Sequence, residues 1–243
     1  MRFDLDKGDI TTSVIPGSSF KYSAVKADKL GAVEQTLATI AIDTSGSMSQ
    51  HEGKLLTMLN TIVDACKKSP RRENMIVRVL TFDDKVSEIH GFIPLNSIVQ
   101  YQQSDLHCKG MTTLYDATLN AVAATRLYGE DLVKQDYDVN GIVFIATDGA
   151  DNKSSYTPGK IASEIEDISK SETIGDITTI LIDMSPSSLE TFKVDAKLSS
   201  RIEFGDITSG KLAKLANFVS KSISSSSQAL ATGTSVVIAA PTF

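Results

Sequence analysis

Four apolar runs rich in β-branched residues, separated by segments with helical spacing, constrain the fold of this chain most strongly. The runs are residues 37–42, 75–82, 141–147 and 176–183. Nearly continuous apolar runs are typical of strands buried on both faces, as in a parallel sheet covered by helices. The alternation of strands and helices therefore predicts an α/β, Rossmann-like fold with a doubly wound, mostly parallel sheet and helices on both faces.

Two shorter runs complete the predicted sheet. Residues 86–89 are expected to form one short antiparallel edge strand, and residues 201–204 a last strand, which gives six strands in all. The segments between the strands carry apolar residues at helical spacing. The predicted helices cover about residues 54–66, 115–127, 158–170, 187–198 and 209–223.

The composition of the chain divides it into three parts. Residues 1–35 are polar and mixed, without a clear period, and are interpreted as an N-terminal extension that is partly stranded at most. Residues 36–223 form the α/β domain. Residues 224–243 are a Ser-rich C-terminal tail, in which residues 235–240 are a candidate edge strand.

Length, charge and hydropathy exclude several classes of protein. The chain has 243 residues, of which 41% are hydrophobic, and that is enough for one sizeable core. It lacks a secretory h-region and a long apolar run, so we expect a cytoplasmic protein with no membrane contact. Its net charge of −6, without a long basic run, argues against nucleic acid as a partner. Cys66 and Cys108 are expected to be free thiols, since they have no metal-site spacing.

Three polar loops are expected to meet at one edge of the sheet. Asp43, Ser45 and Ser47 follow the first strand, Thr112 precedes a predicted helix, and Asp148 follows the run at 141–147. Binding sites of open α/β sheets lie beyond the carboxyl ends of the strands. Carboxylate and hydroxyl oxygens are hard ligands, which suit Mg²⁺ or Mn²⁺ better than zinc or copper. The pattern therefore predicts a divalent-cation site.

These loops carry a resemblance to a known family. The segments DTSGSM from Asp43, GMTTLYDA from Gly110 and TDG from Thr147 resemble the ligand loops of the von Willebrand factor type A (VWA) domain. The metal-ion-dependent adhesion site (MIDAS) of that family has the pattern DxSxS, a loop Thr and a loop Asp. The resemblance covers about residues 37–223 and implies a VWA fold with a MIDAS.

The resemblance also implies a role for each candidate ligand. Ser45, Ser47 and Thr112 would supply hydroxyl oxygens, while Asp43 and Asp148 would act directly or through ordered waters. A departure from the family pattern is Met111, where many members have a second Gly. It leaves Thr113 as an alternative to Thr112, which we favour.

In this family a metal with mostly neutral ligands keeps much of its charge and binds a Glu or Asp carboxylate of a protein partner. The resemblance thus implies a metal-dependent protein–protein interaction module and not an enzyme. Compact members of the family resemble stand-alone bacterial or phage forms. They include forms associated with tellurium resistance or stress, and adaptors of AAA+ ATPases. An AAA+ ATPase is therefore one expected partner.

Other interpretations of the same residues remain open. Each loop taken alone is compatible with a helix cap or an ordinary turn. A structural or assembly protein, for example phage-associated, in which the fold mediates self-association, is the main alternative function. A metal-dependent hydrolase is disfavoured because Ser45 stands where a haloacid dehalogenase-type phosphatase needs a second acid.

The remaining polar residues near the predicted site have ordinary interpretations. His51, His90 and His107 are scattered without the spacing of a metal site or a catalytic base. Residues 83–84 and 151–153 are interpreted as solvated loop residues. None of these residues is expected to bind the metal.

Overall fold

The computed structural model of the chain describes residues 6–31, 33–149, 151–171, 174–184, 189–205 and 208–232. These residues form one eight-stranded sheet with helices on both faces. The strands are β1 (Ile10–Val14), β2 (Lys21–Val25), β3 (Glu34–Asp43), β4 (Met75–Phe82), β5 (Val86–Pro94), β6 (Asp138–Thr147), β7 (Ile177–Asp183) and β8 (Ser200–Glu203). The helices are α1 (Glu52–Lys67), α2 (Leu114–Val133), α3 (Pro158–Ser171), α4 (Glu190–Asp195) and α5 (Ser209–Thr232).

The predicted α/β fold with a mostly parallel sheet is confirmed, but the predicted number of six strands is wrong. The order across the sheet is β1-β2-β5-β4-β3-β6-β7-β8. Only the β1–β2 and β4–β5 pairs are antiparallel. The two additional strands, β1 and β2, come from the predicted N-terminal extension. The strand expected at residues 86–89 extends to Pro94 and is not an edge strand, because β2 pairs with its far side.

Two apolar layers hold the helices against the sheet. On one face α1 and α5 pack on the central strands, through side chains such as Leu59 and Val219 against Ile40 and Phe144. On the other face α2, α3 and α4 pack on the same strands. Alternate residues of β3 point into opposite layers, so Ile40 and Ala41 lie in different cores. This explains why the strand sequences are apolar at nearly every position.

A buried ionic contact attaches the N-terminal hairpin to the sheet. The Glu88 carboxylate accepts hydrogen bonds from the N–H and the hydroxyl of Ser23 in β2, at 3.1 and 2.7 Å. It also accepts one at 2.6 Å from Nε of Arg78, whose side chain is completely buried. The Arg78 guanidinium lies 5.7 Å from the centre of the Phe92 ring. Burial lowers the pKa of Arg78, and Glu88 opposes that shift. Glu88 therefore connects β2, β4 and β5.

The C-terminal part differs from the sequence-based expectation. Helix α5 extends to Thr232, beyond the predicted end at Ile223 and into the Ser-rich segment. The candidate edge strand at residues 235–240 lies outside the described residues, as do residues 187–188 of the helix expected at 187–198. The rest of that helix is shorter than expected, because α4 ends at Asp195. The division of the chain into an extension, a domain and a tail, with boundaries at residues 35 and 223, stays a prediction. Among the described residues, no helix combines the length and the apolar character needed to cross a membrane.

Strands β2 and β5 pack so closely at Gly91 that we expect any larger residue there to destabilise the fold. A methyl group added at Gly91 would lie 2.1 Å from the carbonyl oxygen of Ser23, so Gly91→Ala must separate the hairpin from β5. We expect a loss of about 1–3 kcal/mol in the free energy of unfolding, as for other overpacking substitutions. Urea denaturation measures it.

Gly53→Ala is the matched control, because a methyl group there meets nothing within 4 Å. It should leave the stability unchanged or raise it slightly, since alanine favours the helix. Equal stabilities of the Gly91 and Gly53 variants would contradict the observed packing of the hairpin.

Candidate metal centre

Asp43 lies at the end of the central strand β3, between β4 and β6. Its side chain is fully buried. One carboxylate oxygen, Oδ1, accepts a hydrogen bond from the N–H of Ser45 at 2.8 Å. The other, Oδ2, accepts one from the hydroxyl of Thr147 at 2.5 Å. Asp43 therefore joins the loop after β3 to the end of β6.

A chain of oxygen atoms connects the first loop to the loop after β6. The hydroxyl oxygens of Ser45 and Ser47 are 3.1 Å apart. The Ser47 hydroxyl also donates to Oδ1 of Asp148 at 2.9 Å. Four of the five predicted ligands, Asp43, Ser45, Ser47 and Asp148, are thus brought together by hydrogen bonds. Ser47 is exposed, so the group opens to solvent.

Backbone contacts attach the loop that carries Thr112 to the first loop. The N–H of Gly46 donates to the carbonyl oxygen of Gly110 at 3.0 Å, and the N–H of Lys109 donates to the carbonyl oxygen of Thr44 at 2.8 Å. Gly110 has a φ of +71°, which favours glycine. A short, fixed turn therefore precedes Thr112.

The two adjacent threonines have different environments. The hydroxyl of Thr113 donates to the carbonyl oxygen of Asp83 at 3.0 Å, at the beginning of α2. The hydroxyl of Thr112 makes no hydrogen bond to any described residue, although Thr112 is buried. Thr113 is thus engaged in holding α2, while Thr112 retains an oxygen for a ligand. This difference favours Thr112 as the candidate ligand.

Residues 151–153, interpreted from the sequence as solvated, hold Thr112 in place. Oδ1 of Asn152 accepts the N–H of Thr112 at 2.8 Å, and the carbonyl oxygen of Thr112 accepts the N–H groups of Asn152 and Lys153 at 3.1 and 3.2 Å. Asp151 accepts the N–H of Tyr115 at 3.3 Å. These contacts connect residues about forty positions apart, and no sequence period signals them.

The buried carboxylate of Asp43 lacks a cationic partner among the described residues. Burial raises the pKa of Asp43 to about 6, while the hydrogen bonds from Thr147 and Ser45 oppose the shift and the charge of Asp148 adds to it. By contrast, Asp183 at the end of β7 is also buried but forms an ion pair with Arg201 at 2.7 Å. A divalent cation beside Asp43 would favour its charged form.

The arrangement fits a hard divalent cation. The candidate ligands are two carboxylates and three hydroxyls, all oxygen donors. Among the described residues, no three His, Cys, Asp or Glu side chains form a metal-binding group. Ser45, Ser47 and Thr112 would hold the ion together with Asp43 and Asp148.

The other residues considered from the sequence lie outside this ligand set. His90 is buried, with Nε2 at 2.6 Å from the hydroxyl of Tyr101, which is a structural contact. Cys66 and Cys108 are free thiols. Burial and the neighbouring Glu52 raise the pKa of Cys108 to about 12, which keeps it a neutral thiol.

Sequence comparisons give no relatives for this chain. No family model matches the sequence, and no curated protein matches it. Comparison of the structure with solved structures gives matches at low sequence identity, and these bear on the fold alone.

Three of the structural matches illustrate the likeness. A variant of the PilB minor pilin from Streptococcus sanguinis matches with a TM-score of 0.57 at 13% identity, covering 87% of this chain and 66% of the pilin. Proximal thread matrix protein 1 from the mussel byssus, with a zinc-occupied MIDAS motif, matches with a TM-score of 0.50 at 17% identity, covering 79% and 46%. The pilus adhesin SpaC from Lactobacillus rhamnosus GG matches with a TM-score of 0.52 at 13% identity, covering 84% and 32%.

These matches support the VWA-like fold expected from the three loops. One of these neighbours, proximal thread matrix protein 1, contains a MIDAS motif. The chain spans less than two thirds of the length of each of the three proteins. The likeness therefore carries no further statement about the activity of the whole protein.

The two threonines allow a matched test of the ligand set. Thr112→Val should lower Mn²⁺ affinity at least about tenfold, because it removes a ligand oxygen while keeping the side-chain shape. Thr113→Val should leave the affinity nearly unchanged and destabilise the fold by about 1 kcal/mol, since it removes a structural hydrogen bond. Isothermal titration calorimetry and thermal melts measure the two effects. The reverse pattern would assign the ligand to Thr113.

A substitution of Asn152 tests whether the support of Thr112 matters for metal binding, because Asn152 orients Thr112 without being a candidate ligand. Asn152→Ala should weaken Mn²⁺ binding by about tenfold, as loss of an outer contact does at other metal sites. The exposed Ser155→Ala on the same segment is the control, and should bind Mn²⁺ like the unmodified protein. Unchanged affinity in Asn152→Ala would show that Thr112 needs no such support.

The raised pKa of Asp43 predicts that, in the absence of metal, the free energy of unfolding depends on pH. The folded form binds this proton more tightly than the unfolded chain, so stability should increase as the pH falls below about 6. From pH 7.5 to pH 5 the gain from Asp43 is about 1 kcal/mol for this shift. Asp43→Asn should lack that gain. Urea denaturation in EDTA at both pH values measures it, and an identical pH response of both proteins would refute the shift.

Proposed function

We propose that this chain is a divalent-cation-dependent protein-recognition module that holds a Glu or Asp side chain of a partner through Mg²⁺ or Mn²⁺. The observation that carries the proposal is the cluster of oxygen donors around Asp43 at the open edge of the sheet. The bound ion would supply the electrostatic attraction for the carboxylate of the partner.

The residues of the chain prepare this site with three hydroxyls and only two carboxylates. Thr147 and the N–H of Ser45 fix the carboxylate of Asp43, while Asp148 orients the hydroxyl of Ser47. Asn152 fixes the backbone of Thr112. Neutral hydroxyls leave more positive charge on a bound ion than carboxylates do, so the ion retains attraction for an anionic group. This supports binding of an acidic side chain.

The proposal is recognition and not turnover. Asp43 has hydroxyl and N–H partners, and among the described residues it shares no hydrogen bond with a second acid or base. The nearest predicted carboxylate, Asp148, is engaged with the Ser47 hydroxyl. We therefore propose recognition in preference to metal-dependent hydrolysis.

The proposal also includes the kind of partner. We propose a protein with an exposed acidic residue, such as an AAA+ ATPase for which this chain acts as an adaptor in the cytoplasm. The resemblance of the three loops to those of the VWA family supports this choice. Neither nucleic acid nor a membrane has a role in it.

A second candidate is a structural or assembly role. The structural neighbours include a minor pilin, a pilus adhesin and a thread matrix protein, all named for extended assemblies. In that role the fold would mediate self-association, and the metal would be incidental. Self-association that persists in EDTA and in Thr112→Val would favour this candidate.

An affinity pull-down from source-cell lysate tests the proposed function. Tagged protein is used with Mg²⁺, with EDTA, and as the Thr112→Val and Thr113→Val variants. We expect a partner that is retained with Mg²⁺ and by Thr113→Val, but lost in EDTA and by Thr112→Val. Partners indifferent to all four conditions would place recognition on another surface.

A further inference from the structure

The N-terminal hairpin reaches the same edge of the sheet as the candidate metal centre. Strand β5 is antiparallel to β4, β2 is parallel to β5, and β1 is antiparallel to β2. Strand β1 therefore ends at the edge where β3 and β6 end. The turn that follows it, residues 15–20, is termed the hairpin turn. It is tight: the N–H of Ile15 donates to the carbonyl oxygen of Phe20 at 2.9 Å, and Gly17 has a φ of +72°.

The side chain of Tyr156 connects the hairpin turn to the segment that follows β6. Its ring centre lies 5.7 Å from that of Phe20, with the two rings tilted by 52°. An aromatic pair at this distance is a favourable contact. The hydroxyl of Tyr156 also donates to the carbonyl oxygen of Gly17, but at 3.4 Å this bond is long and adds little. Both rings are half-buried and pack on the apolar core, so the pair joins the hairpin to the domain.

The buried carboxylate of Asp116 fixes the backbone of Tyr156 against the first turn of α2. Its Oδ1 accepts the N–H groups of Tyr156 and of the residue before it, both at 2.9 Å. The N–H of Asp116 donates to the hydroxyl of Ser154 at 3.0 Å, and that hydroxyl donates to Asp151. Residues 151–156, termed the support segment, are therefore joined to the beginning of α2 by hydrogen bonds along their length.

The support segment is also the part of the chain that holds Thr112, through Asn152. Its sequence is DNKSSY, in which Tyr156 is the only aromatic residue and the others are polar or charged. Segments held mainly by partly exposed hydrogen bonds open at a low cost in free energy. The packing of Tyr156 on Phe20 is therefore the apolar contact that keeps this segment closed. A continuous series of contacts thus leads from the hairpin turn to Thr112.

We propose that the N-terminal hairpin is part of the metal-binding unit, and that Phe20 and Tyr156 are positioning residues for Thr112. The aromatic pair keeps the support segment closed, and Asn152 then holds Thr112 in the position that binds the ion. Without the pair the segment is closed for a smaller fraction of the time, and the affinity for the ion falls by that fraction. This inference rests on the proposed function of the metal centre, and it adds a part of the chain, without a candidate ligand, that sets the affinity.

Calorimetric titration of the intact chain with Mn²⁺ tests the inference. Phe20→Ala and Tyr156→Ala should each lower the affinity about fivefold, which is less than the effect expected for Asn152→Ala because the aromatic pair acts one contact further away. The double variant should lose no more than either single variant, because both rings belong to one contact. Tyr156→Phe keeps the ring and removes only the long hydroxyl bond, so it should bind Mn²⁺ like the unmodified protein.

Tyr137→Ala is the matched control for a general loss of stability. Tyr137 is also half-buried, and its hydroxyl also donates to a carbonyl oxygen of the N-terminal part, that of Ala27, at 2.9 Å. It directly precedes β6 and so lies at the opposite edge of the sheet from the candidate metal centre. Tyr137→Ala should lower the melting temperature at least as much as Tyr156→Ala, but its Mn²⁺ affinity should stay within about twofold of that of the unmodified protein.

Hydrogen exchange in EDTA supplies a readout that needs no metal. Mass spectrometry follows the peptides that cover residues 111–116 and the support segment. Both peptides should exchange about fivefold faster in Phe20→Ala than in the unmodified protein, because the segment opens more often. In Tyr137→Ala they should exchange at the unmodified rate.

Failure of this inference is distinguishable from failure of the proposed function. An unmodified protein that binds Mn²⁺, with equal affinity in Phe20→Ala and Tyr156→Ala, would overturn this inference and leave the proposed function standing. The same holds if Tyr137→Ala loses as much affinity as they do, or if exchange at residues 111–116 is unchanged in Phe20→Ala. An unmodified protein that binds no Mn²⁺ would overturn the proposed function and this inference together.

Discussion

The hydrogen bonds of the Asp43 carboxylate are the contact on which the candidate site depends. Asp43 ends the strand that lies between β4 and β6, and its two oxygens hold the N–H of Ser45 and the hydroxyl of Thr147. One buried group thereby fixes two loops at the open edge of the sheet. The burial that makes these bonds strong also raises the pKa of Asp43, so the loops are held by a carboxylate that has no cationic side chain beside it in the described part of the chain.

The central sheet was predictable because its signal is local. The strand sequences at residues 37–42 and 141–147 are apolar at nearly every position, and that pattern needs no knowledge of distant contacts. The N-terminal hairpin was missed for the opposite reason. Strands β1 and β2 are short and polar, and a contact to Glu88, far along the chain, holds β2 on the sheet. Their pairing depends on tertiary contacts that no local period reveals.

The candidate site was also predictable only in part. Asp43, Ser45 and Ser47 follow one strand at fixed spacing, and Asp148 follows another, so the sequence alone indicates that they converge. The structure links these four by hydrogen bonds. The support for Thr112 was not foreseen, because Asn152 lies in a polar segment whose composition is that of any surface loop. The distinction between Thr112 and Thr113 likewise required the contact of Thr113 with Asp83.

Anomalous diffraction from crystals grown with Mn²⁺ would show whether a divalent cation binds at this edge of the sheet. We expect one strong manganese peak within bonding distance, about 2.1–2.3 Å, of the hydroxyl oxygens of Ser45, Ser47 and Thr112. Asp43 and Asp148 should contact the ion directly or through water. A peak elsewhere, or none at these oxygens with Mn²⁺ in excess, would contradict the assignment of this edge of the sheet as a metal centre.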